Sequence, residues 1–487
     1  MGHRNLLGTE VIMVKTDQFY INGQWVKPQQ AAADFEVINP ATEQVVASLA
    51  MGGEADANAA VAAANAAFDS YSQSSVETRI ALLEKLLVAY DRRYNEMAEM
   101  MTLEMGAPVD YSRAVQTEAG RGHIEQIIKV LKTFTFEERM EDDCTLMREP
   151  VGVCSLITPW NWPINQVVIK VAPALAAGCT MVLKPSELSP LSALLFAEMV
   201  DEAGYPAGVF NLVNGDGPSV GAPLSTHPDV DCVSFTGSTR AGVLIAAAAA
   251  PTVKRVSQEL GGKSPNIILP DANLKTAVEG GVDFCFGNAG QSCDAPTRML
   301  VQRDQYDEAV EIARQFAMNV SVGDPLEHGD HMGPVISETQ FNKIQGLIQA
   351  GIDEGARLVA GGVGKPEGFE TGYYVKPTVF ADVNNQMTIA REEIFGPVLA
   401  MIPYDTVDEA IAIANDTVYG LAACVSGTDK QQLTYVIRRL RAGSISVNGH
   451  YQGYASPFGG YKQSGNGREG GIFGLEEFLE VKTVAWI

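Results

Sequence analysis

The chain has 487 residues, 46% of them hydrophobic, which is enough for about two to four domains with substantial cores. Its net charge of −24 argues against nucleic acid and anionic membrane as partners, because both demand basic surface. No apolar run approaches the roughly 20 residues of a membrane span. Seven cysteines leave one over in any disulfide framework and form no CxxC pair. With no export signal visible, that points to a reducing, cytoplasmic setting.

Residues 1–12 carry little structural pattern, and Met13 is a candidate natural start. Residues 19–26 alternate around Asn22-Gly23, the strongest short hairpin signal. The Ala-rich stretch 55–68 predicts a helix. A longer one is expected from Ser74, in a capping box with Glu77, to Met105, where Gly106 stops it. Another helical pattern covers 111–131. Residues 133–150, where Phe134 and Phe136 alternate with threonine, read as a hairpin inserted between larger units.

From Val151 the pattern becomes regular. Strands are expected at 151–157, 180–183, 209–213, 231–235 and 253–258. Between them lie helices from Pro163 to Gly178, ending near Gly204, just after Gly215-Asp216-Gly217, and through Ala250. Such alternation means right-handed βαβ units and a parallel sheet with its ligand at the carboxyl ends of the strands. The second half repeats the alternation more loosely. Helices are expected at 275–286, 305–318, 338–354, 407–414 and 430–439, and strands near 299–301, 375–379, 422–426 and 444–447. That is a second α/β domain of similar size. The apolar, extended end at 477–487 is expected to be a paired strand, with another subunit as one candidate partner.

Cys293 sits on the turn-like step Gly290-Gln291-Ser292, between an apolar helix and a strand. A cysteine presented on such a loop is a candidate nucleophile, although alone it reads equally as a small hydrophobe. Distant segments change the balance. Thr158-Pro159-Trp160-Asn161-Trp162-Pro163 follows the first strand, Lys184-Pro185-Ser186-Glu187 the second, and Phe235-Thr236-Gly237-Ser238 the fourth. Gln258-Glu259-Leu260-Gly261-Gly262-Lys263 ends the fifth, and Glu392-Glu393-Ile394-Phe395-Gly396-Pro397 lies far downstream. In this order and spacing the segments resemble the NAD(P)-dependent aldehyde dehydrogenase superfamily, over nearly the whole chain.

The resemblance implies an α/β fold with a Rossmann-like parallel-sheet NAD-binding domain at 14–131 and 151–260. It adds a second α/β catalytic domain at 261–465 and a small β oligomerisation arm, the hairpin 132–150 with the C-terminal strand 470–487. It also implies the chemistry. A bare aldehyde is no hydride donor to the acid level, whereas a thiolate adduct can release hydride to a nicotinamide and leave a thioester. Cys293 is the implied nucleophile. The Asn161 amide and the Cys293 backbone N–H are the oxyanion donors, and Glu259 is the general base for thioester hydrolysis. Lys170 corresponds to a lysine kept near the site. Glu259 favours hydrolysis, since relatives that acylate coenzyme A commonly lack this base.

For the cofactor the resemblance implies Thr158, Trp160, Lys184, Glu187, Gly237, Ser238, Glu393 and Phe395. The helix after Gly237-Ser238 would face the pyrophosphate, Lys184 and Glu187 the adenosine ribose, and Glu393 the nicotinamide ribose beside Phe395. A carboxylate at Glu187 binds a ribose diol and repels a 2′-phosphate, so NAD is expected over NADP. Gly215-Asp216-Gly217 is rejected as a dinucleotide fingerprint, because it follows the third strand and lacks the full spacing.

The departures concern substrate. Gly287 stands where many relatives carry a bulky aromatic residue, which suggests a roomier tunnel. Asp294 directly follows the nucleophile, where neutral residues are usual. Pointing inward, it would raise the thiol pKa and disfavour anionic aldehydes; pointing outward, it would do neither. Trp162, Tyr451, Tyr454 and Phe458 are candidate aromatic walls, with core packing an equally good account of each. A neutral aromatic or aliphatic aldehyde is expected, and a homodimer or homotetramer. One alternative is a semialdehyde dehydrogenase for a carboxylated substrate, with Arg298 or a loop cation as anion clamp. The other is a catalytically silent binding or structural homologue, against which the intact Cys293, Glu259 and Asn161 speak. His328-Gly329-Asp330-His331 assembles no four ligands and reads as a turn, so no metal is expected. Cys285 is expected to be buried.

Overall fold

In the computed structural model, which describes residues 14–29 and 34–486, the regular middle of the sequence becomes an eight-stranded sheet. The proposed start at Met13 lies outside the described residues. Five strands, Val153–Ile157, Thr180–Lys184, Phe210–Leu212, Cys232–Thr236 and Arg255–Glu259, run parallel. The first four are buried throughout, as expected of parallel strands covered on both faces. In space they lie third, second, first, fourth, fifth, so the order reverses between Val153–Ile157 and Cys232–Thr236. A crevice opens at such a reversal, beyond the carboxyl ends. Antiparallel strands close both edges: the hairpin Phe19–Ile21/Gln24–Val26 beside the third, and Gly465–Asn466 beside the fifth. The hairpin turns on Asn22 (φ 53) and Gly23 (φ 73), the two left-handed residues a type I′ turn requires.

Five residues after the fifth strand the chain enters a second sheet, so the Glu259–Lys263 segment is itself the crossing between the two. That sheet runs Arg357–Ala360, Thr378–Ala381, Val398–Tyr404, Arg298–Gln302, Pro265–Ile268, Ala422–Ser426, Ser444–Val447, parallel except for the first pairing. Three of these strands escape the sequence reading. Val398–Tyr404 contains Pro403, which reads against a central strand. The structure tolerates it because pairing with Thr378–Ala381 has ended by Ala400, leaving Pro403 opposite Val301 alone. Pro265–Ile268 begins at its proline, another permitted place. The strand expected at 375–379 starts instead at Thr378, after Pro377. The short pair Phe35–Ile38/Val45–Leu49 and the edge strand Arg357–Ala360 have no strong alternation to announce them.

The helix expected from Ser74 to Met105 is two helices, Val76–Arg92 and Tyr94–Met105, broken at Arg93 (φ −103, ψ 20). Arg93 spends its guanidinium on Glu96 and on Glu198, 2.8 Å away. Ser75, not Ser74, is the cap, accepting from the Thr78 amide; the Ser74 hydroxyl donates backward to Tyr71. Gly106 (φ 80) ends the second helix as expected. The stretch 111–131 is interrupted by a π-helical segment, Ser112–Thr117, between Val109–Tyr111 and Glu118–Leu131.

The inserted hairpin forms as Glu137–Arg139 and Thr145–Pro150, and the terminal strand Leu479–Val484 pairs with it antiparallel, Leu479 opposite Pro150 and Val484 opposite Thr145. Its partner is therefore in its own chain. Among the described residues no helix is long and apolar enough to cross a membrane.

Arg298 is fully buried on the strand beside the crossing segment. Its guanidinium donates to the carbonyls of Lys263 (3.0 Å), Ile413 (2.9 Å) and Ala414 (2.8 Å) and to Asn385 Oδ1 (2.8 Å). Four of its five N–H donors are thus held by core acceptors, so Arg298 serves as a structural staple rather than an anion clamp. Each buried acceptor stranded by its removal costs about 1–3 kcal/mol. Arg298→Ala is expected to lower stability by about 3 kcal/mol or more, read as a fall in the denaturant midpoint; an unchanged midpoint would contradict the assignment.

Candidate active site

The loop that carries Cys293 follows the helix Leu274–Phe286. Asn288, Ala289 and Gly290 take φ values of 55, 54 and 71 in succession, a left-handed turn that only strong local contacts sustain. Those contacts are present. The Asn288 side-chain amide donates to the carbonyls of Asn161 (2.9 Å) and Gln291 (3.2 Å) and accepts from Gln116 (2.9 Å). Gln291 closes on Asn288 O (3.0 Å) and accepts the Ile336 amide (2.9 Å). The buried Asn161 amide donates to Gln291 O at 3.0 Å; with two N–H donors, it keeps one for another acceptor beside Cys293. Trp162 Nε1 donates to Ser292 Oγ at 2.9 Å. The segment after the first strand thus grips the residues on either side of position 290.

Two more segments converge on this loop through glycine. A Cβ on Gly290 would lie 2.1 Å from the Gly396 carbonyl carbon, and one on Gly262 would lie 2.3 Å from the Cys293 carbonyl oxygen. A Cβ on Gly261 would lie 2.6 Å from the Glu393 carboxylate, which accepts the Gly262 amide at 3.0 Å. The segments around Asn161, Glu259, Cys293 and Glu393, remote in sequence, meet at one place.

Cys293 is half-buried, and its thiol is pushed well above the ordinary range, by burial first and then by Asp294, Glu393 and Glu259. Glu259 is buried, and neither of its carboxylate oxygens has a protein partner among the described residues. Burial raises its pKa strongly and Glu469 adds to the rise, while Lys170 and Arg468 oppose it. Lys170 is buried, ion-paired with Glu469, and donates to Ser234 Oγ at 3.2 Å. Sequence reasoning missed Glu469. The signal was an adjacent Arg468-Glu469 pair inside a glycine-rich run, where charge has little structural reason to sit. Phe458 and Glu469 exchange backbone hydrogen bonds of 2.7 Å, which places Phe458 against this network.

The cofactor candidates gather along the carboxyl ends of the first sheet. Thr158 is buried next to the first strand, and Trp160 meets Phe395 edge to face at 5.3 Å. Lys184 is buried, and its ammonium donates to the carbonyls of Pro185 (2.8 Å) and Gly215 (2.7 Å), 3.6 Å from the Glu187 carboxylate. Gly237 precedes Ser238, which caps the helix Thr239–Ala249 by accepting the Ala241 amide. Asp216 caps a short turn through Ser219, a local role for the glycine-flanked segment already rejected as a fingerprint.

On the other side, Tyr111 packs on Trp162 at 6.0 Å and Tyr451 on Phe284 at 4.9 Å. A Cβ on Gly287 would meet only the Tyr111 hydroxyl, at 3.9 Å. Tyr111, absent from the sequence candidates, is thus a wall of the space Gly287 leaves open. Its charged neighbours are Asp294 and Asp283. Tyr454 lies instead on the helix Glu118–Leu131, 5.0 Å from His123 and over Gly122. Cys285 is buried, and its thiol is pushed up to about 12 by that burial. His328 pairs with Asp110 (2.9 Å) and His331 with the Asp324 carbonyl (2.8 Å).

Comparison with known proteins places the chain in a family. The sequence pattern of the aldehyde dehydrogenase family matches residues 25–484. A Pseudomonas 3-succinoylsemialdehyde-pyridine dehydrogenase is 54% identical over 96% of this chain and 98% of its own. Crystal structures of aldehyde dehydrogenase from Bartonella henselae (50% identical, TM-score 0.96, 98% of this chain and 100% of that one) and of Pseudomonas syringae aldehyde dehydrogenase C are similar throughout. The latter, a cysteine-to-alanine variant with NAD+ and octanal, is 53% identical with a TM-score of 0.95, covering 97% of this chain and 98% of that one. Matched by the family pattern over most of its length and more than half identical to a relative, the chain belongs to the aldehyde dehydrogenase family.

Proposed function

We propose that the protein oxidises a neutral aromatic or aliphatic aldehyde to the carboxylic acid with NAD, by the hydrolytic route. What carries the reading is Glu259, a buried carboxylate with no protein partner among the described residues, whose charge bears on the Cys293 thiol. Once its thiol proton is lost to water, Cys293 adds as the thiolate to the aldehyde carbon, and the developing oxyanion takes the spare Asn161 N–H and the Cys293 backbone N–H. When bound, NAD accepts the hydride. Glu259 then deprotonates the water that cleaves the thioester, and Lys170 with Glu469 holds the field around it. A pyridine-bearing semialdehyde and octanal, named with two relatives, fit the open space at Gly287. The engaged Arg298 removes the main support for a carboxylated substrate. A homodimer or homotetramer belongs to the same reading, supported by the exposed Val243, Leu244, Val481 and Trp486. So does a reducing cytoplasm, supported by seven free cysteines.

The Lys184 ammonium commits two of its three N–H donors to the Pro185 and Gly215 carbonyls and lies 3.6 Å from Glu187, whose carboxylate repels a 2′-phosphate. Wild-type protein is therefore expected to prefer NAD to NADP in kcat/KM, and Glu187→Gln to narrow the ratio; an unchanged ratio would place the discrimination elsewhere. Glu259→Gln is expected to keep a stoichiometric burst of NADH while steady-state turnover falls about 10²- to 10⁴-fold, and an unchanged steady-state rate would refute the base. A raised Glu259 pKa means that the base form appears only as pH rises, so hydrolysis-limited turnover should climb with pH. The thiol follows the same sign. Iodoacetamide modification of Cys293 should accelerate with pH and, at fixed neutral pH, proceed faster in Asp294→Asn, because loss of a like charge lowers the thiol pKa. Equal rates in both proteins would mean that Asp294 does not act on the thiol.

A further inference from the structure

Gln116 is fully buried and takes no part in the chemistry described above, yet one hydrogen bond separates it from the residue that bridges Asn161 to the Cys293 loop. The Asn288 side-chain amide has two N–H donors and one carbonyl oxygen. Both donors are spent, on the Asn161 carbonyl (2.9 Å) and the Gln291 carbonyl (3.2 Å). Its oxygen accepts from Gln116 Nε2 at 2.9 Å. Turned over, the amide would set its oxygen against two carbonyl oxygens and its NH₂ against that of Gln116. The Gln116 donor therefore fixes which way Asn288 faces. The Gln291 carbonyl, two residues before Cys293, also accepts the Asn161 side chain at 3.0 Å. Asn288 thus holds the oxyanion donor and the nucleophile loop at one spacing.

Gln116 comes from the π-helical segment Ser112–Thr117, a local widening that recurs at functional sites. Side chains from two other helices pin that segment: Thr102 Oγ1 donates to Ser112 Oγ (3.1 Å), Tyr94 to the Arg113 carbonyl (2.7 Å) and Tyr90 to the Thr117 carbonyl (2.8 Å). Packing alone gives no reason for an amide here. Gln116 Oε1 is buried without a partner among the described residues, a cost that an apolar side chain of similar length would avoid. We propose that Gln116 is a positioning residue for the oxidation: by orienting the Asn288 amide, it holds the Asn161 side chain and the Cys293 loop at the spacing the oxyanion requires. This rests on the dehydrogenase reading and adds to it a residue that acts through another. The remaining Asn161 N–H serves the oxyanion only while that spacing is kept, and a displacement of about 1 Å at such a donor costs on the order of a hundredfold in rate.

The test follows NADH formation from octanal, benzaldehyde and phenylacetaldehyde by wild type, Gln116→Met and Gln116→Glu, with Gln116→Met also made in an Asn161→Ala background. Gln116→Met keeps the bulk and removes the donor, and its kcat is expected to fall about tenfold to a hundredfold while KM stays within about threefold. Because the loss runs through Asn161, the combined variant should be no more than about twofold slower than Asn161→Ala alone. Gln116→Glu supplies a signature that lost packing would not. Its neutral carboxyl can donate to Asn288 Oδ1, whereas its carboxylate repels that oxygen, and burial keeps the neutral form to higher pH. Its kcat relative to wild type should therefore fall as pH rises, with no such trend in Gln116→Met. Should one variant not fold, the other decides by its own readout. Wild-type kcat and pH profile in the variants, or losses that multiply in full with Asn161→Ala, would overturn the proposal and leave the dehydrogenase reading standing. No oxidation of any of the three aldehydes by wild type would overturn both.

Discussion

The structure depends on how closely backbones approach at Cys293. The crossing segment between the two sheets passes so near that its Gly262 has no room for a Cβ against the Cys293 carbonyl, and the Phe395-Gly396-Pro397 backbone presses as tightly on Gly290. These contacts couple distant parts. A side chain at either glycine would displace the nucleophile loop from Asn161 on one side or Glu259 on the other. Because the crossing begins at the last residue of the fifth strand, the position of Glu259 is tied to one sheet, while the strand Arg298–Gln302 after the loop ties Cys293 to the other. The two groups meet because the two sheets do.

Packing of that tightness excludes water, and the electrostatics follow. Glu259, Glu393 and Asp294 all bear on one thiol, which favours a protonated Cys293 over a standing thiolate. A thiol kept protonated resists adventitious oxidation and alkylation, which act on the thiolate. Glu259 is itself held toward its neutral form, and the Lys170–Glu469 pair beside it supplies fixed charge of both signs. The site is poised around protons, not a pre-formed ion pair.

Much of this was legible in the sequence, for a physical reason. The parallel strands of the first sheet are short apolar runs bounded by glycine and proline, and the residues at their carboxyl ends are polar where a core position would be apolar. Asn161, Lys184, Ser238 and Glu259 all stand out in this way. What escaped was of two kinds. Strands such as Val398–Tyr404 were hidden by Pro403, tolerable only because a neighbouring strand stops short. Pocket residues such as Tyr111 and Glu469 were hidden because their relevance is tertiary. Tyr111 reaches Trp162 from a short helix just ahead of a π-helical segment, and Glu469 reaches Lys170 across 299 positions of sequence. Arg298 was misread for a related reason: its place five residues after the nucleophile says nothing about which side of the strand its guanidinium takes.

That side choice shapes substrate selection. Along the stretch from Gly287 to Arg298, the cationic side chain turns into the core to satisfy three carbonyls, while Asp294 stays half-buried by the nucleophile and contributes to the charge felt at Tyr111 and Tyr451. Had Arg298 faced the thiol, it would have offset part of the negative charge that Asp294, Glu393 and Glu259 bring to it. Committing Arg298 to structure leaves that charge without this offset, so the fold's need to satisfy buried backbone also bears on the thiol's surroundings. A substrate carboxylate close to Asp294 would meet a repulsion that the low polarity of a half-buried site enlarges.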